Sequence, residues 1–158
     1  MKKETAVFGA GCFWGVELEF SKVPGVLKTE VGYMGGKEEK KSYSYREVCS
    51  GDTGHAEVVK VIFDSDKLSY KDLLEKFWSI HDPTTLNRQG PDIGEQYRSV
   101  IFYFDENQKK ESNKLLKQRE KKIGKKIVTQ IEKAGKFYKA EEAHQKYLEK
   151  LRRSSCRI

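Results

Sequence analysis

Apolar positions in this 158-residue chain fall into short runs separated by polar, glycine-bearing stretches. Thr5–Ala10 (TAVFGA) is an almost continuous apolar run of strand length and predicts a buried strand. Val26–Tyr33 (VLKTEVGY), His55–Asp64 (HAEVVKVIFD), Arg98–Phe104 (RSVIFYF) and Ile127–Ile131 (IVTQI) predict four more. Val58, Val59, Val61, Ile62 and Phe63 give the His55–Asp64 run strong β character. Helical signals lie between these runs. Val16–Phe20 holds good helix formers, and Tyr70, Leu73, Leu74 and Phe77 recur at helical spacing behind a Ser69–Asp72 capping pattern. That helix is expected to stop before Asp82-Pro83. Asp105–Ile123 reads as a lysine-rich helix closed by Gly124, and Glu141–Arg153 as a last helix. Val23-Pro24-Gly25-Val26 is a turn, whereas Met34–Asp52 and Thr84–Gln96 read as loops.

The predicted order β-α-β-β-α-β-α-β-α points to an α+β fold. It is a two-layer α/β sandwich with a ferredoxin-like core, helices packed on a mixed or antiparallel sheet. The length fits one domain over residues 1–158. No apolar run approaches the roughly 18 residues that a membrane helix needs. The first apolar run is also too short for a signal-peptide core, so a cytoplasmic protein is expected.

The net charge of +7 raises the question of nucleic acid. Lysines and glutamates are interspersed, however, as on a heavily charged surface, and the aromatics do not interleave with the lysines of the 105–126 segment. A nucleic-acid module is therefore the weaker reading. The cysteines, Cys12, Cys49 and Cys156, are odd in number and widely scattered. They form neither a secreted disulfide framework nor a C-x-x-C zinc site, and no metal or cofactor is expected.

The densest chemistry is Gly11-Cys12-Phe13-Trp14-Gly15. Cys12 falls where a strand passes into a helix, and free N–H groups with the helix dipole there favour a thiolate. Phe13 and Trp14 provide an apolar wall beside the sulfur. In Gly51-Asp52-Thr53-Gly54-His55-Ala56-Glu57, a carboxylate follows a glycine-rich turn. If Glu57 faces the aromatic wall, desolvation raises its pKa and makes it a proton donor near neutral pH. His55-x-Glu57 matches half of a zinc deaminase signature, but the downstream P-C-x-x-C is absent. Tyr43, Tyr45 and Tyr97 offer hydroxyls to an oxygen-bearing substrate, and the second loop adds Asn87, Arg88, Gln89 and Asp92. Cys49 is read as a packing residue, and His81 and His144 as structural. A Cys–His hydrolase built on Cys12 with His55 or His144 is the rival enzyme, but it leaves Phe13, Trp14 and Glu57 without a role.

The segments GCFWG, YREVCSGDTGHAEVV, FWSIHDP, NRQGPDIGEQYRS and AEEAHQKYL, in that order over most of the chain, resemble the type A peptide methionine sulfoxide reductases. The resemblance implies reduction of methionine S-sulfoxide, protein-bound or free, to methionine. It implies that Cys12 is the nucleophile, that Phe13 and Trp14 hold the S-methyl group, and that Glu57 protonates the sulfoxide oxygen. Tyr45 and Tyr97 then support that oxygen, and Asp92 belongs to the substrate-site network. A Cys12 sulfenic acid follows, resolved to a disulfide and regenerated by thioredoxin or a similar dithiol. Cys156, beside Arg157, is the candidate resolving thiol. Its tail is short and lacks the glycines of many relatives, so resolution by an external thiol stays open. A monomer is expected, with no nucleic-acid or membrane partner.

Overall fold

The computed structural model describes the backbone of residues 1–155 and the side chains through Arg152. Among these, β1 (Lys3–Ala10), α1 (Phe13–Ser21), β2 (Val26–Met34), α2 (Tyr45–Cys49), β3 (Ala56–Asp64) and α3 (Tyr70–Ser79) make up the first half. Next come β4 (Arg88–Gln89), β5 (Asp92–Ile93), β6 (Ser99–Tyr103), α4 (Glu106–Ile123), β7 (Gln130–Lys133), β8 (Tyr138–Lys139) and α5 (Tyr147–Ser155). Six strands form one sheet in the order β7-β6-β1-β3-β2-β8, and β4 and β5 form a separate hairpin.

β3 runs antiparallel to both β1 and β2, so β1 and β2 are parallel with β3 between them. β6 is antiparallel to β1 on the other side and therefore parallel to β3. The result is two interlocked split β-α-β units, the ferredoxin-like core. β7 extends it in parallel beyond β6. The sheet is mixed, as expected.

Strand alternation sends Phe8, Val31, Val59, Val61 and Ile101 to one face, packed with Phe20, Leu73, Leu74 and Phe77 of α1 and α3. Phe8 stacks on Phe20 at 5.1 Å and on Phe77 at 5.2 Å between centroids. Each such buried side chain contributes roughly 1.5–3 kcal/mol. The opposite face carries a smaller cluster of Val7, Met34, Ala56, Val58, Val100 and Phe102, covered by Ala134 and Phe137. Glu57 has the parity of Val59 and Val61, so β3 directs its side chain to the helix-covered face.

The predicted caps are present. Ser69 and Asp72 form a full capping box on α3, and Gly124 closes α4 in the left-handed conformation at φ 69°. Four expectations change. The first loop contains α2, five residues with their own Ser44–Glu47 capping box and too short to show a period. The second loop contains the β4–β5 hairpin and a 3-10 turn at Glu95–Tyr97. β7 begins three residues later than predicted, because Ile127 is buried and its N–H is taken by the Glu120 carboxylate. The last helix is not continuous from Glu141. A 3-10 turn at Glu142–His144 precedes Lys146 at φ 54°, and α5 starts at Tyr147.

Side-chain bonds hold this break. Gln145 accepts the Val31 N–H at 2.9 Å and donates to the Val31 and Ala140 carbonyls, acting as one more peptide on the edge of β2. The buried Glu17 carboxylate accepts the Lys146 N–H at 2.6 Å and the Thr29 hydroxyl at 2.8 Å. α1 thereby fixes where the C-terminal segment turns.

Candidate active site

Four separated segments meet at the end of β1. Ala10 ends the strand, Gly11 turns at φ 103°, and Cys12 is the N-cap of α1. A side chain at Gly11 would meet Gln89 of the hairpin at 3.0 Å, so glycine allows both the positive φ and the close approach of β4. Cys12 is half-buried, and its thiol is free.

Glu57 is about 1% exposed and accepts the Phe13 N–H on Oε1 at 3.2 Å. The carboxyl thus caps the first turn of α1 from the side, beside Cys12. Its Oε2 is buried with no hydrogen-bond partner. Burial pushes its pKa up to about 7, outweighing the Phe13 N–H that pulls it down, and Asp92 adds to the rise. A neutral acid at neutral pH is what the sequence led us to expect if Glu57 faced the aromatic wall.

Cys12 departs from expectation. The Trp14 and Gly15 N–H groups do favour the thiolate, but burial opposes them and the charges of Glu57 and Asp92 add to it. The thiol is pushed up to about 11. The helix start alone does not produce a thiolate here, because burial outweighs it and two nearby carboxylates add to the rise. A proton on Glu57 removes one of these charges, so the acid and the nucleophile are coupled.

The aromatic wall is larger than the sequence suggested. Phe13 is fully buried, with Tyr33 at 5.8 Å, Tyr45 at 6.1 Å and His144 at 5.6 Å between centroids. Trp14 stacks on Tyr147 at 4.0 Å and on Tyr45 at 6.3 Å, and its indole N–H donates to His144 Nδ1 at 3.0 Å. His144 was read as structural from sequence, yet it packs inside this wall. Its neighbours in AEEAHQKYL were visible, but nothing in a single sequence showed that the segment returns to Cys12. Glu141, from the same segment, accepts the Tyr33 hydroxyl at 3.3 Å and the Tyr45 N–H at 3.2 Å. It ties α2 to β2.

Tyr45 and Tyr97 are half-buried, and both phenols are raised by burial and then by the charge of Glu57. They remain hydroxyl donors near neutral pH. Asp92, on β5, is close enough for its charge to act on Cys12, Glu57 and Tyr97. The geometry therefore brings Cys12, Phe13, Trp14, Tyr45, Glu57, Asp92 and Tyr97 to one place. Cys156 lies outside the described residues.

Cys49 is exposed and not a packing residue. Burial pushes its thiol up, and the Tyr45 and Tyr97 hydroxyls pull the other way. Tyr43, by contrast, is buried against His55 and Tyr138, away from this cluster. His55 accepts the Gly36 N–H on Nδ1 at 3.0 Å and so donates from Nε2 to the Lys37 carbonyl. With both nitrogens used in a loop, it is no general base for Cys12. His81 bonds the Phe77 carbonyl and Ser99 at the end of α3, the helix-end role expected of it, and burial lowers it to about 4. Among the described residues, no group of three or more His, Cys, Asp or Glu side chains is placed to hold a metal.

A half-buried cysteine at a helix start, a buried acid and a wall of aromatics gathered at one end of β1 describe a cysteine-based oxidoreductase site. A family model for peptide methionine sulfoxide reductase matches residues 4–158. The peptide methionine sulfoxide reductase MsrA of Methanothermobacter thermautotrophicus is 60% identical over 156 residues, 97% of this chain and 90% of that protein. The crystal structure of reduced Mxr1 from Saccharomyces cerevisiae superposes with a TM-score of 0.89 at 41% identity, covering 94% of this chain and 86% of that one. Mxr1 has also been crystallised in complex with Trx2, and that structure matches with a TM-score of 0.66 at 27% identity over 92% of this chain and 85% of that one. This chain belongs to the peptide methionine sulfoxide reductase family.

Proposed function

We propose that the protein reduces methionine S-sulfoxide, in proteins and as the free amino acid, with thioredoxin or a similar dithiol as the source of electrons. The single observation that carries the reaction is the buried, unpartnered Oε2 of Glu57 beside Cys12. A sulfoxide oxygen is a poor leaving group until it is protonated. Glu57, with a pKa of about 7, holds that proton where water is excluded.

The S-methyl group packs on Phe13 and Trp14 while the oxygen faces Glu57, with the Tyr45 and Tyr97 hydroxyls donating to it. Cys12 attacks the sulfur as the Glu57 proton passes to the oxygen. The hydroxyl then passes from the methionine sulfur to the Cys12 sulfur as the new S–S bond breaks, so methionine leaves, Cys12 becomes a sulfenic acid, and the Cys12 thiol proton restores the acid form of Glu57. Burial is the main cause of the raised Cys12 thiol, and neutral Glu57 removes the part that its charge adds, which favours this order. Asp92 sets the local field, and Cys156 is a candidate to convert the sulfenic acid to a disulfide.

Methyl group, oxygen and attacking sulfur each have one place, so only one hand of the sulfoxide fits. The resemblance to type A reductases supports the S epimer. The Mxr1–Trx2 complex supports thioredoxin as the reductant. Three cysteines without disulfide-framework spacing suit a reducing compartment such as the cytoplasm. Glu57→Gln tests the reading. It keeps an acceptor for the Phe13 N–H but carries no acid proton, and turnover is expected to fall by about 100-fold or more. Unchanged turnover would refute the acid role.

A further inference from the structure

Arg98 is a buried charge that the mechanism does not use. It is about 5% exposed, and taking a guanidinium out of water is costly unless hydrogen bonds and a partner charge compensate. No carboxylate pairs with it closely. Among the described residues its one ion pair is with Glu95, at 3.9 Å, and that side chain is exposed. Its hydrogen bonds go to uncharged acceptors. Nη1 donates to the Glu95 carbonyl at 3.1 Å, the same oxygen that accepts the Arg98 N–H at 3.2 Å. Nε donates to the Gln130 side chain at 3.2 Å.

These bonds close the turn that carries Tyr97. The 3-10 turn Glu95–Tyr97 packs against β3, the strand of Glu57, and Arg98 ends it. β1 pairs Ala10 with Ser99, and the same antiparallel register two residues on sets Tyr97 level with Cys12. Alternation puts the two side chains on opposite faces. Arg98 shares the parity of Val100 and Phe102 and lies behind the sheet, whereas Tyr97 has the parity of Ile101 on the helix-covered face. Gly35, just after β2, marks the path of the guanidinium. A side chain there would meet Arg98 Nη2 at 2.9 Å and the Phe102 ring at 2.7 Å. The guanidinium thus reaches from Gln130 on β7 to the segment that follows β2, beneath the end of the sheet where the site lies.

We propose that Arg98 is a positioning residue for the reaction, holding the 3-10 turn from behind the sheet so that the Tyr97 hydroxyl meets the sulfoxide oxygen. The inference rests on the role given to Tyr97 above. A turn of three residues fixes the direction of its last side chain only when something outside the turn closes it. The planar fork does so at two points, the Glu95 carbonyl and Gln130, which a lysine ammonium cannot reach together in one plane. Without the fork the hydroxyl spends less time at hydrogen-bonding distance from the oxygen, so turnover falls more than binding.

The test is a double-mutant cycle on Arg98→Lys, Tyr97→Phe and the double variant. For each, kcat and KM are measured with a methionine sulfoxide peptide and dithiothreitol, and Tm is recorded. Tyr97→Phe is expected to lower kcat about 10-fold, and Arg98→Lys by a similar factor with KM changed less than about two-fold. The double variant is expected to be no slower than the slower single one. Trp14→Phe, which alters the methyl-binding wall instead, is expected to combine with Arg98→Lys multiplicatively. Losses that multiply in the Arg98–Tyr97 pair would overturn the proposal, as would full kcat in Arg98→Lys whatever its Tm. If Arg98→Lys does not fold, Gln130→Ala removes only the Nε acceptor, and the same lack of additivity with Tyr97→Phe is required of it. Unchanged kcat in Tyr97→Phe would refute the role given to Tyr97 itself, and the positioning role falls with it.

Discussion

Glu57 and Cys12 share one small volume, and the proton balance between them determines how the site works. Glu57 is raised from an ordinary value near 4.5 to about 7, chiefly by burial. The reactive acid is present below that value and lost above it. The kcat/KM profile is therefore expected to have a descending limb near pH 7, and Glu57→Gln is expected to remove it. A stability effect follows from the same shift. Between pH 4.5 and 7 the folded chain holds a proton that the unfolded chain has released, so stability falls as pH rises through this window. Glu57→Gln, neutral at every pH, is expected to raise Tm at pH 8 and to change it little at pH 4. A calorimetric comparison at the two values checks this. Trp14 depends in a similar way on one neighbour, since its indole N–H donates to His144. His144→Ala is expected to raise KM several-fold with a smaller change in kcat, in line with about 1 kcal/mol for one hydrogen bond. A kcat loss with unchanged KM would contradict a positioning role.

Between α1 and the start of α5, one buried carboxylate carries the join. Glu17 fixes Lys146 and Thr29 together, and Tyr147 stacks on Trp14 directly after that point. Glu17→Ala is expected to destabilise the fold by roughly 1–3 kcal/mol through the buried groups it leaves unpaired. Trypsin cleavage after Lys146 is expected to become faster, with a rise in KM. Equal cleavage rates would show that the join does not depend on Glu17. Elements with a strong period or a cap were legible in the sequence. β1, β2 and β3 carried apolar runs, α3 a helical period with a capping box, and α4 a closing Gly124. α2 and β8 were not, because elements of two to five residues are made by tertiary contacts such as Glu141 with Tyr45 and Ala140 with Val31. The break at Lys146 was hidden for the same reason, since its partner Glu17 is 129 residues away.

Across the whole molecule, the sheet brings Gly11–Trp14, Tyr45–Glu57, Asp92–Tyr97 and Glu141–Tyr147 to one end of β1. The first three segments contained motifs that could be read for chemistry one at a time, and Cys12, Glu57 and the tyrosines stood out for that reason. The fourth could be placed only by the fold, so His144 and Glu141 were not assigned to the site from sequence. Cys49 was misread because a cysteine beside the buried Val48 looks like packing until α2 is known to leave it exposed. The net charge of +7 was the least informative feature, because it describes the surface and not the site. The central claim is that this constellation removes oxygen from one hand of methionine sulfoxide. The most direct measurement is turnover of a peptide carrying both sulfoxide epimers, with dithiothreitol as reductant and the products separated by stereochemistry. The S epimer is expected to be consumed completely while the R epimer remains, and Cys12→Ser is expected to consume neither. Consumption of both epimers at similar rates, or of neither by the unaltered chain, would contradict the account.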